Sequence, residues 1–196
     1  MIEDDYDSEF RYKGQVIPTL AATDQCGRVI YLSTFTKLLA PSMRISYTVL
    51  PPKLLEEYKR RLSFYSCPVP LFKQLTLASF ISGGHFEGHI NRMKKIYKRK
   101  RRALLDALSA SSPDAFTMVE GSEAGLHLLL KIQNGMSEET LLTRAAKQGV
   151  LLHGLSEYRT ETKSMQSPPI ILLGYTTIPA NDIEKAVKKL EKAWTV

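Results

Sequence analysis

Apolar residues in the first fifty positions fall in short runs that predict β-strands. Residues 28–34 and 45–50 each hold consecutive aliphatic, aromatic or β-branched side chains. Such runs are typical of strands buried on both faces of a parallel sheet. Residues 1–12 begin within a further strand and run into a turn at Lys13-Gly14. The pattern therefore predicts a sheet at the start of the chain.

Helical spacing follows these strands. A proline pair ends the second run, and Pro52 suits the first turn of a helix over residues 53–62, where leucines recur at helical spacing. We expect a second helix over 71–81, ended by a glycine pair. Residues 86–109 predict one long helix with its apolar side chains near a single stripe.

The second half of the chain alternates strand and helix patterns after a break at residues 111–113, which we interpret as a domain boundary. Strands are expected at 117–120, 125–132, 150–153 and 170–173, and helices at 137–148 and 182–194. Ser137 is the expected N-cap of the first helix, and Asn181 with Glu184 makes a capping box for the second. This alternation predicts a small α+β domain.

Composition restricts the class of protein. With 43% hydrophobic and 24% charged residues, the chain of 196 residues has a soluble globular composition, which excludes a disordered, collagen-like or disulfide-stapled protein. No run reaches the ~18 apolar residues of a membrane span, and the acidic first residues are unlike a signal peptide. Cys26 and Cys67 are too few for a disulfide framework and too isolated for a zinc site. We expect a cytoplasmic protein without membrane contact.

The net charge of +7 has one local source. Residues 92–102 (RMKKIYKRKRR) hold eight of the 27 basic residues and no acidic one, and without them 19 basic residues face 20 acidic ones. The rest of the chain is therefore nearly neutral. We interpret the cationic segment as the solvated face of a connecting helix, because no groove-reading element accompanies it.

Metal ligands are not predicted. The five carboxylates among residues 3–9 suit a polar turn or, as the rarer alternative, a divalent cation, but no histidine or second acidic cluster lies nearby. His85 and His89 have i, i+4 spacing, yet Gly83-Gly84 argues against a shared helix. Structural roles are therefore favoured for both histidines.

Candidate chemistry lies in the first fifty residues. If the chain is extended at its start, Asp4 and Tyr6 point to one face, and Asp5 and Asp7 to the other. A carboxylate beside a phenol suits a heteroaromatic ligand, since the acid can pair with a protonated ring nitrogen and the phenol with a ring oxygen. Lys37 follows the next strand and offers an imine-forming amine, although an ordinary solvated lysine is the alternative. Open α/β sheets bind ligands beyond the carboxyl ends of their strands.

Five segments carry a family resemblance. They are residues 2–12 (IEDDYDSEFRY), 29–47 (VIYLSTFTKLLAPSMRISY), 89–93 (HINRM), 124–127 (AGLH) and 170–175 (IILLGY). Together they closely resemble the MocR/GabR branch of the GntR-type transcriptional regulators. These regulators join a winged helix-turn-helix to a domain that resembles fold-type I aminotransferases. The resemblance spans nearly the whole chain.

The resemblance implies a pyridoxal 5′-phosphate site. Lys37 looks like the lysine that forms the internal aldimine, and it is the catalytic candidate. Asp4 resembles the carboxylate that keeps the pyridine nitrogen protonated, so that the ring acts as an electron sink. Tyr6 resembles the phenol on the ring oxygen. The remaining matches surround the cofactor phosphate: Thr34, Thr36 and Arg44. A guanidinium offers a planar fork to a dianion, and short hydroxyls supplement it.

Two departures from the family pattern affect this reading. The family usually has Gly-Thr-Phe-Ser-Lys, whereas Ser33 and Thr36 stand here, and both keep a hydroxyl where one is needed. In the GABA-responsive member, an arginine near the start of the late polar loop holds the effector carboxylate. Glu157 aligns with that arginine, and a carboxylate repels a carboxylate. Arg159, two residues away, is therefore the effector-binding candidate; an effector amine at Glu157, or lost recognition, is the alternative.

The implied fold is α/β. It comprises part of a large-domain sheet of the fold-type I PLP-dependent transferases (residues 1–85), a long connecting helix (86–110) and a small C-terminal α+β domain (111–196). By the resemblance, the chain starts near the middle of the family's aminotransferase-like domain. The DNA-binding domain and the first half of the large domain are then missing from it.

The implied function is the effector-sensing part of a MocR-type regulator, which binds pyridoxal phosphate and forms an aldimine with a small amino compound, rather than a turnover enzyme. The family further implies a homodimer that contacts DNA only through the domain missing from this chain. Two alternatives stay open. One is a true aminotransferase, with Lys37 also acting as general base. The other is a non-catalytic remnant that only dimerises.

Overall fold

The computed structural model describes most of the chain: residues 1–15, 17–111, 116–118 (backbone only), 123–158 and 168–195. The chain divides into two compact units, Met1–Met93 and Lys94–Val196. The division falls within the long helix that the sequence predicts, and the domain boundaries proposed at residues 85 and 110 stay a prediction.

Three strands form the sheet of the first unit, as expected. They are β1 (Ile2–Asp5), β2 (Ile30–Thr34) and β3 (Ser46–Val49), in that order across the sheet. β1 is parallel to β2, whereas β3 is antiparallel to it. Burial on both faces of a parallel sheet was the wrong expectation, because all of β3 is exposed and Ser33 alone is buried in β2. An apolar run shows that a strand is hydrophobic, but the strand is buried only if another layer covers it. The described residues place no such layer over β3.

The described residues before 111 form four helices. They are α1 (Leu20–Thr23), α2 (Pro52–Leu62), α3 (Leu71–Ser82) and α4 (His85–Ala110). Pro52 opens α2, as expected. Gly83 ends α3, and Gly84 has φ +71°, which glycine adopts without strain. α4 then begins at His85, so the expectation that His85 and His89 do not share a helix is wrong. One left-handed residue is enough to separate the two helices.

The second unit alternates strands and helices, as its sequence predicts. Its elements after α4 are β4 (Phe116–Met118), β5 (His127–Ile132), α5 (Glu138–Lys147), β6 (His153–Gly154), β7 (Ile170–Gly174) and α6 (Ile183–Trp194). The strands pair in the order β4-β5-β7-β6, with every pair antiparallel. The strand expected over 150–153 is shorter than predicted, since only His153 and Gly154 pair with β7.

A hydrophobic core holds the second unit together. Alternate residues of β5 point inward, and Leu128, Leu130 and Ile132 are each 1% exposed. α6 contributes Trp194, whose indole Nε1 donates a hydrogen bond to the Leu141 carbonyl oxygen of α5 at 3.0 Å. Both residues are buried, so the bond satisfies a donor that would otherwise be costly to bury.

Helix caps confirm one prediction and correct another. The Ser137 hydroxyl accepts a hydrogen bond from the Thr140 N–H, which confirms the expected N-cap of α5. The capping box expected at Asn181 is wrong. Residues Ala180–Asp182 form a 3₁₀ turn, and α6 begins after it without a side-chain cap. Across the described part of the chain, no helix is long and apolar enough to cross a bilayer.

Candidate functional site

The turn between β2 and β3 carries Lys37 and is fixed by its own backbone. The Phe35 N–H donates to the Ile45 carbonyl oxygen at 2.9 Å, which closes the segment at its base. Within it, the Leu39 N–H donates to the Phe35 carbonyl oxygen at 2.9 Å. Lys37 is exposed, whereas its neighbour Leu38 is 2% exposed. The lysine is therefore presented to solvent by a turn that is anchored on either side of it.

Two threonine hydroxyls stabilise the same turn. The Thr34 hydroxyl donates to the Ile45 carbonyl oxygen at 3.0 Å and accepts from the Thr36 N–H at 3.1 Å. The two threonine hydroxyl oxygens are 3.0 Å apart. Arg44 precedes the buried Ile45 and has φ +49°, the one positive value among the described non-glycine residues. Backbone strain of this kind is uncommon outside glycine and often marks a functional position.

Two side chains from distant helices hold the turn from outside. His89 of α4 places Nε2 3.0 Å from the Leu38 carbonyl oxygen. Lys73 of α3 donates through Nζ to the carbonyl oxygens of Ser42 and Met43, at 3.3 and 3.4 Å. Sequence reasoning missed both contacts, because they join residues 51, 31 and 30 positions apart and no local pattern pairs them.

A cavity of about 230 Å³ opens beside this turn. Its lining residues are Tyr6, Thr34, Thr36, Lys37, Arg44, Ile45 and Ser46. Five of the six residues predicted to bind a cofactor thus lie around one space. Ser46 is an additional hydroxyl, which the sequence analysis quoted within a motif without assigning it a role. The lining combines two cationic side chains, a phenol and three aliphatic hydroxyls, which is suitable chemistry for a phosphorylated ligand.

Asp4, the sixth predicted residue, does not line the cavity. It lies on β1 opposite Leu32 of β2 and is exposed. The next residue, Asp5, accepts a hydrogen bond from the Tyr31 hydroxyl at 2.8 Å. Burial raises the pKa of Tyr31, and the hydrogen bond to Asp5 raises it further. The two neighbouring carboxylates therefore differ, since Asp5 is paired within the sheet and Asp4 is left accessible.

The predicted effector residue, Arg159, lies outside the described residues. Glu157, which aligns with the family's arginine, belongs to a 3₁₀ turn over Leu155–Tyr158. Its Oε2 is 3.0 Å from His153 Nδ1, and the hydrogen bond from this ring lowers the pKa of Glu157. The Gly154 N–H also points at the carboxylate, with Oε1 at 3.4 Å. Glu157 is thus a hydrogen-bonded carboxylate whose partners lie within the same segment.

The described part of the chain forms no cluster of metal-binding side chains, since no three or more of its histidine, cysteine or acidic residues lie close enough together to hold an ion. His85 and His89 share α4, but no described histidine, cysteine or acidic side chain lies close enough to act as a third metal ligand beside them. The Lys37 turn is therefore the candidate site in which predicted residues converge.

Comparison with solved structures defines the class of fold. The chain superposes on a multiple substrate aminotransferase from Thermococcus profundus with a TM-score of 0.84 and 27% identity, covering 98% of this chain and 47% of that one. A kynurenine aminotransferase from Pyrococcus horikoshii gives a TM-score of 0.84 and 30% identity, covering 98% and 46%. The fold is α/β and corresponds to part of a PLP-dependent transferase of fold type I, as the sequence predicts.

Sequence comparison leads to the regulators. No family model matches the chain. The chain is 40% identical to the uncharacterized HTH-type transcriptional regulator YdeL of Bacillus subtilis, covering 100% of this chain and 42% of that protein. It is 34% identical to the probable rhizopine catabolism regulatory protein MocR of Rhizobium meliloti, covering 99% and 38%. The resemblance to the aminotransferase-like part of MocR-type regulators is therefore confirmed, and the chain spans about 40% of these relatives' length.

Proposed function

We propose that the chain is the pyridoxal phosphate-binding, effector-sensing part of a MocR-type transcriptional regulator. One observation carries this proposal: Lys37 lines a single cavity together with Thr34, Thr36 and Arg44. An amine, two hydroxyls and a guanidinium around one space are the groups that an aldehyde carrying a phosphate requires.

The residues present fit this cofactor. Arg44 offers a planar pair of donors to phosphate oxygens, and the hydroxyls of Thr36 and Ser46 are short donors on the same cavity. Tyr6 lines the cavity and supplies a phenol for the ring oxygen. When bound, pyridoxal phosphate supplies an aldehyde that condenses with amines and a ring that accepts electrons. Asp4, which is exposed on β1, would keep the pyridine nitrogen protonated.

The proposed signal is an exchange of amines at this site. A small amino compound competes with the Lys37 amine for the cofactor aldehyde. Release of Lys37 changes the contacts of the turn between β2 and β3, which Lys73 and His89 hold by hydrogen bonds. Arg159 is the proposed ligand of the effector's carboxylate. In the intact regulator, we infer a cytoplasmic homodimer that contacts DNA through the helix-turn-helix for which its relative YdeL is named.

A transaminating enzyme is the second candidate. The chain is 28% identical to the aromatic-amino-acid aminotransferase 1 of Thermococcus litoralis, covering 97% of this chain and 45% of that protein. In that case, Lys37 would also move a proton as a general base. A non-binding remnant is the third candidate, and the position of Asp4 outside the cavity is the observation that favours it.

An absorbance titration tests cofactor binding. Pyridoxal phosphate added to the chain should produce a saturable band near the visible edge, and Lys37→Ala should abolish this band. Lys53→Ala is the matched control, because Lys53 is an exposed lysine of α2 that does not line the cavity. A band that is unchanged in Lys37→Ala, or no band at all, would favour the remnant.

A second measurement separates a sensor from an enzyme. The loaded protein is incubated with a panel of amino acids and a keto acid acceptor. A sensor should give spectral changes with one amine and no sustained production of keto acid. Steady turnover by the complete protein would overturn the regulator proposal in favour of the aminotransferase.

A further inference from the structure

A second cavity lies where α3 meets α4. It has a volume of about 360 Å³, within the range of small-molecule sites, and is lined by Phe80, Gly84, His85, Gly88, His89 and Arg92. It shares no lining residue with the cavity beside Lys37. The proposed function assigns no ligand to this space.

Nitrogen-bearing side chains line one side of this second cavity. His85, His89 and Arg92 are spaced i, i+4 and i+7 along α4, so they share one face of the helix. No carboxylate in the described ranges pairs with Arg92, and this residue is exposed. Arginine is the side chain best suited to hold a planar or tetrahedral oxyanion, because its fork can donate two parallel hydrogen bonds.

An aromatic wall faces these donors. The Phe80 ring of α3 lies 5.9 Å from the His85 ring and 6.2 Å from the His89 ring, measured between centroids. His89 is fixed through Nε2, which must carry the hydrogen because the Leu38 carbonyl oxygen only accepts. His85 makes no such hydrogen bond to another of the described residues. Arg92 and His85 are therefore the free donors, while the Phe80 ring, which meets the His89 ring edge to face at 70°, supplies the aromatic wall.

Gly88 keeps the cavity open. Glycine inside a helix is unfavourable relative to alanine, since it loses more conformational freedom on folding. Here packing does not require it, because a Cβ atom at Gly88 would meet nothing within 4 Å. A larger side chain at this position would instead occupy the space that Gly88 lines. Glycine at position 88 therefore lowers the helix propensity of α4 and leaves the second cavity open.

We propose that this second cavity binds a small molecule that carries a carboxylate or phosphate next to a flat apolar group. Arg92 and His85 take the oxyanion, and the Phe80 wall takes the flat group. The proposal does not rest on the proposed function, because no residue of the Lys37 cavity takes part in it.

Benzoate is the first probe, since it joins a carboxylate to a ring. Titration of the chain is followed by NMR of the histidine side chains. The His85 and His89 signals should shift saturably, and those of His127 and His153, which lie outside the cavity, should not. Acetate and inorganic phosphate, which lack the ring, should bind at least about tenfold more weakly if the Phe80 wall contributes as inferred.

Three variants complete the test. Arg92→Gln should weaken benzoate at least about tenfold, the scale of a lost hydrogen bond to a charged group. Gly88→Leu should abolish binding while the thermal midpoint stays equal or rises, because leucine is the better helix former. Lys95→Gln, an exposed cation of the same helix outside the cavity, should bind as the unaltered chain does.

Three results would overturn this inference: no saturable shift, equal shifts of all four histidines, or binding that neither Arg92→Gln nor Gly88→Leu weakens. The absorbance titration with pyridoxal phosphate is read separately, because it reports on Lys37. Failure of either experiment therefore leaves the other interpretable.

Discussion

The two units differ in where their apolar side chains lie. In Lys94–Val196, residues of α4, β5, α5, β7 and α6 form one buried cluster that includes Leu141 and Trp194. In Met1–Met93, α2 and β3 have no buried residue, and Phe64 is 74% exposed. The second unit thus owes its stability to a core of its own, whereas the first presents apolar surface and carries the candidate site.

The few buried residues of the first unit are informative. Leu38 and Ile45 are 2% and 7% exposed, and each directly follows a proposed site residue, Lys37 and Arg44. Burial of one residue fixes the backbone from which its neighbour projects. The comparison shows that a site can be positioned by a few anchors and hydrogen bonds without an extensive core beneath it.

The largest expected effect contrasts one leucine from each unit. Leu141→Ala should lower the free energy of unfolding by about 2–5 kcal/mol, because Leu141 is fully buried and its loss leaves a cavity. Leu71→Ala should change it by no more than about 0.5 kcal/mol, because Leu71 is 68% exposed. Urea denaturation followed by circular dichroism and by Trp194, the sole tryptophan, measures both. Similar losses would refute the contrast.

A smaller effect concerns a buried hydroxyl of the second unit. The Tyr175 hydroxyl donates to the Gly125 carbonyl oxygen at 2.6 Å. Tyr175→Phe should destabilise the unit by about 1–3 kcal/mol, because the carbonyl loses this donor in a buried setting. Tyr58→Phe, an exposed tyrosine of α2, serves as the control and should leave the urea midpoint unchanged. Equal midpoints for the two variants would contradict the assignment.

The two helix starts of the second unit offer a third contrast. Ser137→Ala should cost about 1 kcal/mol, since it removes the hydroxyl that caps α5. Asn181→Ala should stay within about 0.5 kcal/mol, because Asn181 lies in the 3₁₀ turn and caps nothing. Thermal denaturation distinguishes them, and a larger loss for Asn181→Ala would restore the capping box.

The smallest effect is electrostatic. The His153 ring holds the pKa of Glu157 below its ordinary value, so this pair stabilises the fold above that ordinary pKa and loses its contribution as the pH falls through the lowered one. His153→Gln should raise the pKa of Glu157, as followed by NMR of the carboxyl carbons. Glu184, whose pKa is lowered by Lys188, should titrate unchanged. An unmoved Glu157 would exclude His153 as the cause.

Local signals predicted the elements of this fold well. Apolar runs located β2 and β3, Pro52 located the start of α2, and the hydroxyl of Ser137 located the start of α5. Such signals act over a few residues and depend little on the tertiary structure around them. The capping box at Asn181 failed because a 3₁₀ turn competes for the same residues.

Properties that depend on distant parts of the chain were harder to predict. The exposure of β3 depends on which other elements cover it, and the six residues of the predicted strand carry no information about those elements. Motif resemblance selected five residues that line one cavity in the structure, but nothing local indicated that Lys73 and His89 would hold the turn that carries Lys37. Asp4 is a further example. Strand periodicity predicted which face of the strand its side chain is on, but it did not predict how far Asp4 lies from Lys37.

Reductive trapping tests the central claim most directly. The chain is equilibrated with pyridoxal phosphate, treated with borohydride and digested, and the modified lysine is identified by mass spectrometry. If the turn after β2 holds the cofactor, a single adduct should form at Lys37, at one equivalent per chain. Labelling spread over the exposed lysines of α4, such as Lys95 and Lys98, with none favoured at Lys37, would contradict it.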